Sequence, residues 1–121
     1  MKIRFFELAR RLSKHSDHYQ HKLGCVIVRK NKILSVGFNK LSTHPKSPHA
    51  YHSLHAEISA LIGLSYEDLR YCVAYVYRET KDGKTALARP CPSCERALKL
   101  AGIRGVYYTT NTELGWEFLK F

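Results

Sequence analysis

Apolar residues recur at helical spacing at the start of the chain. Phe5, Phe6, Leu8, Ala9 and Leu12 share one face and predict an amphipathic helix over residues 2–14. The pattern then changes. Gly24-Cys25-Val26-Ile27-Val28 and Ile33-Leu34-Ser35-Val36-Gly37-Phe38 are β-rich runs separated by Arg29-Lys30-Asn31-Lys32. That arrangement predicts a hairpin, with Asn31 suited to the turn. Residues 40–53 are polar and contain Pro45 and Pro48, which predicts a loop. A short helix is expected over 55–63, stopped by Gly63, and a third strand over Tyr71–Tyr77. Asp82-Gly83 marks a turn. Residues 92–101 predict a helix that opens at Pro92 and ends before Gly102. Val106–Thr110 reads as a fourth strand and Trp116–Phe121 as a fifth.

The resulting order, α-β-β-α-β-α-β-β, describes a helix-covered sheet of α/β type in one domain spanning 1–121. Only eleven residues follow Thr110. A parallel fifth strand needs a crossover of about a dozen residues or more, so the last strand should pair antiparallel to the fourth.

Composition narrows the classes. The chain has 121 residues and is 45% hydrophobic, enough for one core. No apolar run approaches the length of a membrane span, so no membrane partner is expected. The first residues carry charges where a secretory signal needs an apolar stretch, which points to the cytoplasm. The same basic, amphipathic segment also suits a mitochondrial address, but Glu7 and the tight join to the next element favour a core helix. The formal net charge is +10, which suits a polyanionic partner such as nucleic acid, an anionic substrate, or a solvated surface. Between His18 and Tyr66 the one acidic residue is Glu57, among six Lys or Arg.

The four cysteines divide by context. Cys25 and Cys72 sit in apolar runs and read as small buried hydrophobes. Cys91 and Cys94 form a C-x-x-C within Pro90-Cys91-Pro92-Ser93-Cys94. With four Pro and four Cys in the chain, this P-C-x-x-C would arise in only about four of a thousand shuffles. His55-Ala56-Glu57 is weak alone, since an H-x-E would arise in about four of ten shuffles. Together the two motifs carry chemistry. A catalytic zinc takes three protein ligands and keeps a fourth position for water. His55, Cys91 and Cys94 supply three, one zinc per chain. The two cysteines lie three apart at a helix start, on nearly one face, where the helix N-terminus favours thiolates. Glu57, two residues from His55, is placed to move protons.

These motifs resemble those of the cytidine deaminase-like superfamily, whose signature is H-x-E followed by P-C-x-x-C. The resemblance extends over nearly the whole chain. It includes the first helix, Leu23–Val28, Gly37-Phe38-Asn39, and Ala101-Gly102-Ile103 before the fourth strand. It implies three α-β-α layers around a mixed sheet of about five strands, and a zinc-dependent hydrolytic deaminase with Glu57 as its catalytic residue. Gly37-Phe38-Asn39 resembles the G-x-N of deoxycytidylate and tRNA adenosine deaminases, which makes Asn39 a substrate contact. By the same likeness, the backbone amides of Ala56 and Cys91 face the base or the attacking oxygen. The resemblance also implies self-association into a homo-oligomer.

Other readings of the same residues stay open. The trio is also compatible with a closed structural zinc site completed by His44, His49 or His52, or with a redox pair. Asn39 also suits a turn residue with a local hydrogen bond. His15, His18 and His21 suit a solvated face, Tyr51 a loop surface, and Tyr107 and Tyr108 packing. Three substrate readings compete. The favoured one is a cytosine nucleoside or nucleotide, with Lys40 and Lys46 near its phosphate. The second is a base within single-stranded DNA, RNA or tRNA. The third is an inactive zinc domain that only binds nucleic acid or another partner. Two features depart from the nearest patterns. The short tail lacks the further helix usual in deoxycytidylate and tRNA adenosine deaminases. The first motif has His where free-cytidine enzymes usually have Cys.

Overall fold

The computed structural model describes residues 1–17, 21–40 and 55–121. Helix α1 spans Ile3–Ser13, strand β1 Leu23–Arg29 and strand β2 Lys32–Phe38. Helices α2 (Ala56–Leu61) and α3 (Tyr66–Leu69) precede β3 (Val73–Arg78), and α4 (Pro92–Leu100), β4 (Gly105–Thr109) and β5 (Trp116–Lys120) complete the order. The sheet runs β2-β1-β3-β4-β5. β3 and β4 pair in parallel through the α4 crossover, and the other three pairings are antiparallel. β5 therefore returns antiparallel to β4, through the short connection between Thr109 and Trp116.

Period-two alternation divides the sheet into two buried faces. Val26, Val28, Tyr75 and Tyr77 point to one side, where α1 covers them with Phe5, Phe6 and Ala9. Cys25, Ile27, Ala74, Val76, Val106 and Tyr108 point to the other side, under Ala56 and Ala60 of α2, Leu69 of α3 and Leu98 of α4. The layers are thus α-β-α, and Cys25 and Cys72 are buried core residues. Tyr108 is buried against the helices, while Tyr107 stacks on Tyr75 at 4.8 Å between ring centres.

Two glycines let the helices lie close to the sheet. A Cβ on Gly24 would stand 1.9 Å from the Ala9 carbonyl oxygen of α1. A Cβ on Gly37 would stand 2.5 Å from the Ala60 nitrogen of α2. Both helices therefore need glycine where their backbones cross the first hairpin.

The structure differs from the sequence expectation in three local ways. α3 was not expected, because four residues carry no readable periodicity; its signal is the capping box of Ser65 and Asp68. The third strand begins at Val73, not Tyr71, because Tyr71 has φ +67 and cannot lie in a strand. In the hairpin turn, Lys30 joins Asn31 at positive φ (+49 and +67), the conformation of a two-residue turn between twisted strands. A bulge between Ile27 and Val28 then shifts the β1–β2 register by one residue on β2. The predicted loop at 40–53 falls almost wholly outside the described residues, as do His18, His44, Lys46, His49, Tyr51 and His52.

Candidate metal centre and the cavity beside it

Two helix starts meet at the C-terminal end of β3. His55 is the N-cap of α2 and Cys91 the N-cap of α4, with Pro92 in the first turn. His55 accepts the Ser59 amide at 2.9 Å and Cys91 the Glu95 amide at 2.8 Å, so each ligand-bearing residue is fixed by the first bond of its helix. Ile58 and Cys94 form a small buried cluster between the two helices.

The ligand atoms converge. His55 Nδ1, Cys91 Sγ and Cys94 Sγ all lie within 4.8 Å of one another. His55 Nδ1 stands 3.2 Å from Cys94 Sγ and 3.9 Å from Cys91 Sγ. Tetrahedral zinc, with bonds of about 2.3 Å to sulfur and about 2.0 Å to nitrogen, needs N–S separations of about 3.5 Å. The observed pair brackets that value, and the donor set is the soft sulfur and imidazole that zinc takes. One zinc per chain fits this centre.

Glu57 is buried at 3% exposure, one residue into α2. Burial pushes its carboxyl pKa above the ordinary range, partly offset by its own backbone amide and by the Cys94 thiol. Burial also pushes the Cys94 thiol up, with the Glu57 and Cys91 charges adding to it. A divalent cation reverses that preference, because thiolates rather than thiols ligate metal, so loading the centre releases protons. Among the described residues no Lys or Arg forms an ion pair with Glu57.

A cavity of about 270 Å³ opens beside the cluster, with His55, Ala56, Glu57 and Cys91 on its floor. Asn39 lines its side and is 5% exposed. Its Oδ1 accepts the Leu23 amide at 2.9 Å and its Nδ2 donates to the His21 carbonyl. Both partners are distant in sequence, 16 and 18 positions away, so Asn39 does not make the local bond of a turn residue, and it also lines the cavity. Ala56 is 1% exposed and its N–H lies in the first turn of α2, where helical amides have no intrahelical acceptor.

The rim contains residues that the sequence pattern did not single out. Arg78, the last residue of β3, donates to the Leu87 carbonyl at 3.2 Å and to His21 Nδ1 at 2.8 Å. Arginine has no acceptor, so a neutral His21 carries its proton on Nε2. His21 is exposed, as expected of a solvated face, and it also lines the cavity together with Arg89. The Asn39 side chain holds His21 there, since it ties the chain at His21 and Leu23 to the end of β2. Lys40 stands over the Phe38 ring at 5.1 Å, away from the cavity lining.

A cluster of three soft ligands at two helix starts, with a buried carboxylate facing a small cavity, is the arrangement of a metal-dependent hydrolytic centre. Residues 1–110 match the cytidine and deoxycytidylate deaminase zinc-binding region, and the chain belongs to that family. It is 30% identical over 118 residues to an uncharacterized deaminase of Aliivibrio fischeri, covering 91% of this chain and 73% of the relative. It is 28% identical over 123 residues to a probable deoxycytidylate deaminase of Caenorhabditis elegans, covering 91% of this chain and 57% of that one. Among solved structures it resembles the deoxycytidylate (dCMP) deaminase of cyanophage S-TIM5 in apo form. That match has a TM-score of 0.66 at 24% identity, over 93% of this chain and 88% of the other. The same phage enzyme in complex with dCMP and dUMP matches at a TM-score of 0.66 and 23% identity, over 91% and 84% of the two chains.

Proposed function

We propose that the chain is a zinc-dependent hydrolytic deaminase converting cytosine to uracil in a cytidine or deoxycytidine nucleotide. The observation that carries this reading is Glu57: a buried carboxylate without a basic partner among the described residues, beside a His55-Cys91-Cys94 cluster and open to the cavity. Zinc held there supplies a Lewis acid that makes water a nucleophile near neutral pH. Glu57 takes a proton from the attacking water and delivers it to the ring nitrogen as oxygen adds to C4. It then passes the second proton to the amino group, and the C–N bond breaks to release ammonia. Water and cytosine thus become uracil and ammonia.

The remaining residues position the base and sugar. Asn39 keeps a second Nδ2 hydrogen and a second Oδ1 lone pair after its two backbone bonds, which suits a sugar hydroxyl. The amides of Ala56 and Cys91, residues that line the cavity, suit the base and the developing oxyanion. Arg78 and Arg89 on the rim suit a 5′-phosphate, since guanidinium groups bind phosphate oxygens in pairs. A phage enzyme of the same fold bound to dCMP and dUMP supports a nucleotide of this size. The competing reading, a base within a polynucleotide, is favoured by the net charge of +10.

A deamination screen read by mass change and ammonia release tests the proposal. It should cover nucleosides, mono- and triphosphates, single-stranded DNA and single-stranded RNA. Turnover on a free cytosine nucleotide is expected. Turnover confined to oligonucleotides would promote the polynucleotide reading, and no turnover by zinc-loaded protein on any substrate would leave a binding domain.

A further inference from the structure

The net charge of +10 is not spread evenly. At the end of the sheet opposite the metal centre, two adjoining cavities share Val73 and Arg104. Together they are lined by six basic residues, Arg29, Lys30, Lys32, Arg70, Arg104 and Lys120. Among the described residues neither cavity has an Asp or Glu in its wall. Two carboxylates lie just outside the wall: Glu67 pairs with Arg70 at 3.8 Å on an exposed surface, and Asp68 interacts with Arg29. Six clustered cations repel one another, and a polyanion laid along them relieves that repulsion.

The groove is aromatic as well as basic. Tyr71 is 68% exposed and holds φ +67, a strained conformation for a bulky residue, with the Arg70 guanidinium 5.2 Å from its ring centre. Phe118 is 40% exposed and packs on Tyr107 at 4.4 Å between ring centres. The frame beneath is rigid, because Arg104 donates its amide to Cys72 at 2.7 Å and accepts that of Phe121 at 3.0 Å.

We infer that this groove binds single-stranded nucleic acid, with the cations along the phosphates and Tyr71 and Phe118 stacking on bases. From β2 to β5 it crosses four strand spacings, about 19 Å. That length accommodates about four nucleotides, the low end of known single-strand sites. The groove lies about 17 Å along β3 from Arg78, at the far end of the strand from the catalytic cavity. A strand held there leaves that cavity free, so the inference does not depend on the deaminase reading.

Fluorescence anisotropy with labelled 20-mers of oligo-dT and oligo-U tests this on the zinc-loaded protein. Three to five phosphate contacts give a log–log salt slope of about 2 to 3.5. Lys30→Gln, Arg104→Gln and Lys120→Gln combined should lower that slope by about 2. Tyr71→Ala should weaken binding about tenfold without changing the slope. A control triplet removes equal charge elsewhere: Arg11→Gln, Lys84→Gln and Arg96→Gln, all exposed positions outside the groove. It should leave the slope nearly unchanged. Saturating 20-mer should not inhibit turnover of any free substrate found. Equal weakening by both triplets would show diffuse surface charge and overturn the site. So would tighter binding of a 20-bp duplex, or binding of phosphatidylserine vesicles with none to either 20-mer.

Discussion

The two ends of the sheet carry opposite kinds of chemistry on the same five strands. At the C-terminal end of β3, a buried carboxylate, two thiols and an imidazole face a cavity of about 270 Å³. At the N-terminal end, six exposed or half-exposed cations and two exposed rings face open grooves. The first end concentrates few groups in a low-dielectric place, where each is worth much. The second spreads many groups in water, where each is worth little and only their sum matters. A single substitution should therefore disable the first end, whereas the second should respond by degrees.

The largest expected effect is at the metal centre. Cys94→Ser should lose the zinc, abolish turnover and lower the melting temperature by roughly 10 °C or more, because the ligands bridge α2 and α4 and binding energy is folding energy. Elemental analysis and thermal melting check this. Unchanged melting with a full zinc complement would break the contrast between the ends. Oligonucleotide binding at the basic end, measured well below the melting temperature, should persist in the same variant.

Arg78→Gln is expected to have a smaller, selective effect. KM for a cytosine monophosphate should rise about 10- to 100-fold with little change in kcat, while KM for the nucleoside stays put. Steady-state kinetics on the two substrates decide it, and an equal loss on both would remove Arg78 from phosphate recognition.

The smallest effect concerns Glu79, one residue beyond Arg78. Burial pushes its carboxyl up, but the Lys14 ammonium, the Tyr77 hydroxyl and Arg10 outweigh burial and hold it below its ordinary range. Burial, and after it the same carboxylate, push Tyr77 up to about 12. A carboxyl with a lowered folded-state pKa stabilises fully above the ordinary carboxylate range and loses that contribution as pH falls through its folded value. Glu79→Gln should therefore cost about 1 kcal/mol near neutral pH, and less in acid. Melting curves across pH compare the two, and a constant difference down to strongly acidic pH would contradict the assignment.

The sequence made one end of this molecule legible and left the other hidden. His55, Glu57, Cys91 and Cys94 could be read because their spacing is local to two helix starts and ligand chemistry admits few residue types. The five strands were visible as β-rich runs, α1 in its hydrophobic periodicity, and α2 and α4 in the Gly63, Pro92 and Gly102 that bound them, whereas α3 was too short to show a period. Arg78, Arg89 and His21 gave no signal, since strand register and the Asn39 amide bring them together rather than sequence spacing. The basic groove was invisible for the same reason. Residues 29, 30, 32, 70, 104 and 120 meet only through the strand order β2-β1-β3-β4-β5.

The central claim is that a single zinc centre works with Glu57 as its proton carrier. It is tested most directly by measuring zinc content and deamination on the same samples of wild type and Glu57→Gln. The account predicts one zinc per chain in both proteins and a turnover loss in the variant of about 10⁴-fold or more. Turnover retained within tenfold in a zinc-loaded Glu57→Gln protein would contradict it.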